Sequence, residues 1–155
     1  MPRSEPLSGT SSRLPSYDDD FVEWTRHTAA LLRAGRNVEI DLGHLAEEVE
    51  DMGKRDRRAL EARLQVLLVH LLKWQHQPAR RSGSWRGTIR TQRSRMKRIL
   101  RDSPSLRVAL PDVLQEVYPE AVAVAVDQTG LLDATFPKRC SYGLDELLDA
   151  EFLPD

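Results

Sequence analysis

The chain has 155 residues, 40% hydrophobic and 30% charged, with a formal net charge of −1. This balance excludes a disordered polyelectrolyte, and the length suffices for one hydrophobic core without covalent staples. The longest apolar run, Val66 to Leu72, is broken by His70 and falls far short of the roughly 20 residues a membrane-spanning helix needs, while the single cysteine, Cys140, excludes an internal disulfide.

Residues 1–16 are rich in Ser, Pro and Gly and lack the continuous apolar stretch of a secretory signal. They are expected to form a disordered N-terminal tail on a cytoplasmic protein, with residues 17–155 as a single helical domain. Asp18, Asp19 and Asp20 suit a helix N-terminus, where carboxylates cap free N–H groups. The first helix then runs to about Ala34, before Gly35, and buries Phe21, Trp24, Thr28, Leu31 and Leu32.

Asp41 caps a second helix. Its apolar positions Leu42, Leu45, Val49 and Met52 recur at spacings of three and four, the pattern of one buried face, and Gly53 ends or bends it. A third helix follows from about Asp56 to Gln75, with Leu60, Leu64, Leu67, Leu68, Leu71 and Leu72. Its later turns are apolar nearly all round, which places it centrally, and Pro78 stops it. Ser84 caps a fourth helix from Trp85 to about Asp102, and Ser103-Pro104-Ser105 breaks the chain. A fifth spans about Leu106 to Asp127, with Pro111 and Pro119 each expected to kink or divide it. After Gly130 come short pieces, including a last helical turn around Leu144 to Leu148. Strand alternation is sustained nowhere, and only the alternating Val122 to Val126 stretch is ambiguous. The expected fold is all-α: a compact bundle of about five helices with a central antiparallel hairpin and an irregular C-terminal region.

Several segments carry a resemblance. They are Asp19-Asp20-Phe21 with Trp24, Leu45 through Gly53, Leu67 through Pro78, Ser84-Trp85-Arg86, Thr88-Ile89-Arg90 with Gln92-Arg93, Ser103 through Leu106, and Thr129-Gly130-Leu131 with Phe136-Pro137. From Tyr17 onward the chain resembles the bacterial family known as domain of unknown function twenty-nine. The resemblance implies a helical fold and a bacterial source and carries no activity with it. His44 stands where that family commonly has a polar amide, and His76 where it commonly has an aromatic, so neither anchors a family function.

Two constellations could carry chemistry. On the third helix Arg63, His70, Lys73 and Gln77 share a polar face. If the second and third helices pair as an antiparallel hairpin, Glu47 and Glu48 are the nearest suppliers of negative charge to them. Glu47, Glu48 and His70, with Lys73, are then candidates for an acid/base or metal site, since carboxylates and imidazole both ligate divalent ions and move protons near neutral pH. An interhelical salt-bridge network is the structural alternative. The sequence holds no His-Glu-x-x-His motif, no phosphate-binding Gly-rich loop and no Gly-x-Ser-x-Gly elbow.

The second constellation is basic. From Arg80 to Arg101 every charged side chain is a cation. Arg86, Arg90, Arg93, Lys97 and Arg101, at spacings of four, three, four and four, form one stripe beside an apolar stripe of Trp85, Ile89, Met96 and Leu100. Arg80 and Arg81 extend it. Such arginines suit phosphate oxygens, so Arg81, Arg86, Arg90, Arg93, Lys97 and Arg101 are candidate polyanion-binding residues for nucleic acid or an acidic protein. Pairing with acids elsewhere in the chain, or plain solvation, is the competing reading, and a homo-oligomer with no ligand remains open. The cofactor question stays open at this level. Trp24, Trp74 and Trp85, at helical spacing among leucines, are assigned to packing.

Overall fold

The structure, a computed structural model, describes residues 16–155. The expected tail at residues 1–16 thus lies outside the described residues, apart from Ser16. Among the described residues there are five α-helices and no strand: α1 (Phe21–Arg33), α2 (Leu42–His76), α3 (Gly83–Asp102), α4 (Ser105–Thr129) and α5 (Leu144–Leu148). No helix is long and apolar enough to cross a membrane. The described chain falls into two units, one ending at Asp51 and one from Met52 to Asp155.

In the first unit, the Asp20 carboxylate accepts the Glu23 N–H at 2.9 Å and so caps α1. The helix buries Trp24, Thr28 and Leu31. Its C-terminal reversal needs Gly35, whose φ of 69° is left-handed and favours a residue without a Cβ. Asp41 then caps α2, its Oδ1 accepting the His44 N–H at 3.2 Å. Tyr17 stacks on His44 with ring centroids 4.2 Å apart and meets Trp24 edge-on at 5.0 Å.

The expected second and third helices are a single 35-residue helix, α2, so the antiparallel hairpin does not form. The expected break rested on Gly53. A lone helical glycine costs about 1 kcal/mol relative to Ala, and the flanking Leu, Ala, Glu, Lys and Arg are strong helix formers. Arg57 and Glu61 add an (i, i+4) ion pair at 2.9 Å. The early stripe is also not a buried face: Leu42, Val49 and Met52 are each about 60% exposed. On α1, Phe21 and Leu32 are likewise exposed.

The core of the second unit is the later part of α2. Leu60, Leu64, Leu67, Leu68 and Leu71 are fully buried, against Ile89, Met96 and Leu100 of α3, Leu110, Val113, Ala121 and Ala125 of α4, and Leu147 of α5. Each fully buried leucine contributes about 1.5–3 kcal/mol of transfer free energy. Helix α4 runs through both Pro111 and Pro119 without dividing. Both prolines are exposed, so the carbonyls they leave unpaired, four residues earlier, open toward solvent and not into the core. The Val122 to Val126 stretch is helical. Gly130, at φ 70°, ends α4.

A continuous α2 and a core confined to its later turns make distinct demands on stability. Gly53 has open space where a Cβ would sit, so Gly53→Ala should raise the free energy of urea unfolding by about 0.5–1 kcal/mol. Leu64→Ala should lower it by about 2–5 kcal/mol. A loss of stability in Gly53→Ala would mean that the chain leaves the helical conformation there.

Candidate polyanion interface

Ser82 starts α3: its hydroxyl accepts the Trp85 N–H at 3.3 Å, two residues before the expected cap at Ser84. From there the 3.6-residue repeat sorts the side chains. Ile89, Gln92, Arg93, Met96 and Leu100 turn inward, while Arg86, Arg90, Arg95, Lys97, Arg98 and Arg101 are exposed. Arg90, Arg95, Lys97, Arg98 and Arg101 line a concavity of about 520 Å³, bounded on another side by Ala150. No acid side chain lines it. Among the described residues, the ion pairs include only one member of this group, Arg101, whose Nε lies 3.1 Å from the carboxylate of its neighbour Asp102.

Arg93 departs from the expected stripe. It is 1% exposed. Its Nε donates to the Leu147 carbonyl at 3.0 Å, Nη1 to Phe152 at 2.7 Å and Nη2 to Glu146 at 3.1 Å. The Glu146 and Leu147 carbonyls belong to the last turn of α5, which has no intrahelical donor for them, so a guanidinium caps a helix C-terminus from inside the protein. Burial lowers the pKa of Arg93, and the nearby Asp149 and Glu151 partly oppose that. The sequence reading erred here because a run at spacings of four, three, four and four drifts around the helix. Arg93 sits at the margin nearest Ile89 and Leu100, whereas Arg95 and Arg98, outside the expected stripe, lie on the open side.

Arg81 is committed within the fold as well. Its Nε donates to the Trp74 carbonyl at 2.9 Å, and its guanidinium lies 5.2 Å from the Trp74 ring centroid. Arg86 approaches the same ring at 5.5 Å but is exposed. Two of the six expected polyanion residues, Arg81 and Arg93, therefore have structural duties.

Three residues of the expected acid/base site, Glu48, His70 and Lys73, hold other partners. Glu48 accepts the Tyr17 hydroxyl at 2.6 Å, which pushes the phenol pKa up to about 12. Glu47 is exposed. His70 Nδ1 donates to the Val66 carbonyl at 2.9 Å, and Lys73 donates to Gln128 Oε1 at 2.9 Å while lying 4.6 Å above the Trp85 ring. The hairpin that was to bring Glu47 and Glu48 back toward His70 is absent because α2 is continuous. Among the described residues no group of three or more His, Cys, Asp or Glu side chains is placed to hold a metal ion.

The family model described as Domain of unknown function DUF29 matches residues 16–153. The chain belongs to this family. No curated protein and no solved structure matches it. In this DUF29 chain the resembling segment Gln92-Arg93 thus supplies the internal arginine, and Thr88-Ile89-Arg90 supplies one buried and one cleft-lining side chain.

Arg93→Ala strips donors from three carbonyls at once and should destabilise the fold by about 3–5 kcal/mol in urea unfolding. Amide exchange should rise first in residues 144–155. Arg95→Ala, on the open side, should shift stability by less than about 0.5 kcal/mol. A separate signature comes from His70, whose pKa is lowered chiefly by burial. The unfolded chain binds that proton more readily, so this contribution is fully present above pH ~6.5 and is lost as the pH falls below it. His70→Gln should flatten the decline in melting temperature between pH 7 and 5.

Proposed function

We propose that this DUF29 chain is a non-enzymatic binding module whose α3 face grips the phosphate backbone of nucleic acid. The observation that carries the reading is the grouping of Arg90, Arg95, Lys97, Arg98 and Arg101 around one concavity with no acid in its lining. Arginine is the suitable cation for this work, because its planar fork meets two phosphate oxygens at once and desolvates more readily than an ammonium. No aromatic side chain lines the concavity. Base stacking is therefore not part of the proposal, and the contacts are those that position a backbone without reading sequence. An acidic protein would meet the same cations, and the test separates the two.

The measurement is fluorescence anisotropy with a labelled duplex of mixed sequence, a single strand of equal length and a poly-glutamate peptide. If four cations each displace a counterion, log K against log salt has a slope of about −3.6 for duplex DNA, an affinity loss of about 150-fold between 50 and 200 mM salt. Arg95→Gln with Arg98→Gln should reduce the slope magnitude by about 2 and leave the melting temperature unchanged. A slope near zero would overturn the reading. So would tighter binding of poly-glutamate than of either nucleic acid.

A further inference from the structure

On the same unit, away from the α3 face, helix α4 and the chain leading into α5 enclose a second concavity of about 510 Å³. That is within the range of roughly 300–1,000 Å³ typical of small-molecule sites. Its lining is of two kinds. Pro111, Leu114 and Pro119 of α4, with Leu144 of α5, supply an apolar wall, and Lys138 and Arg139 are exposed at its margin. Neither cation joins an ion pair among the described residues. None of the acids of α4 lines the concavity, and Glu116 is bound to Arg57 at 2.8 Å. The Glu146 carboxylate, at the start of α5, is engaged by the Gly143 N–H at 2.8 Å.

Pro119 has no N–H, so the carbonyl of Gln115, four residues earlier, lacks its helical donor, and Gln115 lines the concavity. An uncharged apolar ligand would cover the wall but leave two cations facing it without compensation. A simple inorganic anion would meet two solvated surface cations, which alone give little affinity. A ligand with both parts meets the apolar wall and the two cations together.

We propose that this cleft binds a small amphiphilic anion, its apolar body against Leu114, Leu144 and the two prolines and its acid group between Lys138 and Arg139. The site is independent of the α3 cations and does not rest on the nucleic-acid reading. Cys140 lines the same cleft and is the sole cysteine of the chain, which makes it a built-in reporter. Burial raises the pKa of its thiol, so alkylation is followed at pH 9.

The experiment measures alkylation of the full-length protein by N-ethylmaleimide, read by mass spectrometry, with decanoate as the probe below its micellar concentration. Decanoate should slow the reaction, by about tenfold once its concentration is ten times its Kd. Butyrate and decyltrimethylammonium should not. Lys138→Ala with Arg139→Ala, both exposed positions, should abolish protection by decanoate, measured against the variant's own alkylation rate without it, while keeping the wild-type melting temperature. Alkylation indifferent to decanoate would overturn the proposal. Equal protection by decyltrimethylammonium or butyrate, or protection that survives in the double variant, would do the same.

Discussion

A full positive charge in a protein interior must be surrounded by dipoles, because an unpaired buried ion costs several kcal/mol. Arg93 meets this requirement without a salt bridge: three of its N–H groups take three main-chain carbonyls, and its guanidinium lies 5.8 Å from the Phe152 ring centroid. The bonds reach 53 to 59 residues along the sequence, so they fasten α5 and the chain end to the middle of α3. This anchor also orients α3. With Ile89, Arg93, Met96 and Leu100 held inward, Arg90, Arg95, Lys97, Arg98 and Arg101 are left on the exposed side, and the segment near Ala150 is brought alongside them as the far wall of the concavity. Structural and candidate binding arginines thus belong to one helix, with Arg95 and Arg98 turned about 160° and 140° away from Arg93.

Local chemistry was legible wherever a single residue decides it. Asp20 and Asp41 cap their helices, Ser103-Pro104-Ser105 separates α3 from α4, Gly35 and Gly130 take left-handed turns, and residues 144–148 form the last helix. The misreadings arose where a pattern stood in for tertiary context. Gly53 suggested two helices, yet nothing at Gly53 opposes helical dihedrals. Leu42, Val49 and Met52 have the spacing of a core face, but spacing describes only which side chains share a side. It does not supply the surface that covers them. The prolines of α4 point outward, where the lost hydrogen bonds are tolerated.

Of the candidate interface, the existence of a cationic helix was readable from Arg80 to Arg101, and its membership was not. Assigning Arg93 inward required the carbonyls of Glu146, Leu147 and Phe152, whose proximity no local signal encodes. Arg95 and Arg98 are identified as outward only once the buried side of α3 is fixed by the leucines of α2. The α4 cleft was still less accessible, since most of its apolar wall lies on α4 while its cations come about twenty residues further along the chain. Reading the acids of α2 toward His70 failed for a different reason: it assumed a chain reversal that the backbone does not make.

The clustering of like charges on α3 carries a mechanical implication. Lys97 and Arg101 stand four residues apart, and Arg95 with Arg98, and Arg98 with Arg101, stand three apart, so each pair opposes helix formation by about 0.2–0.5 kcal/mol. No acidic residue occurs in the first turn of α3 to offset them. The helix is therefore spring-loaded, kept wound by its packed side against the repulsion of its open side. Repulsion among exposed cations is screened by salt, so this opposition to α3 is greatest at low ionic strength.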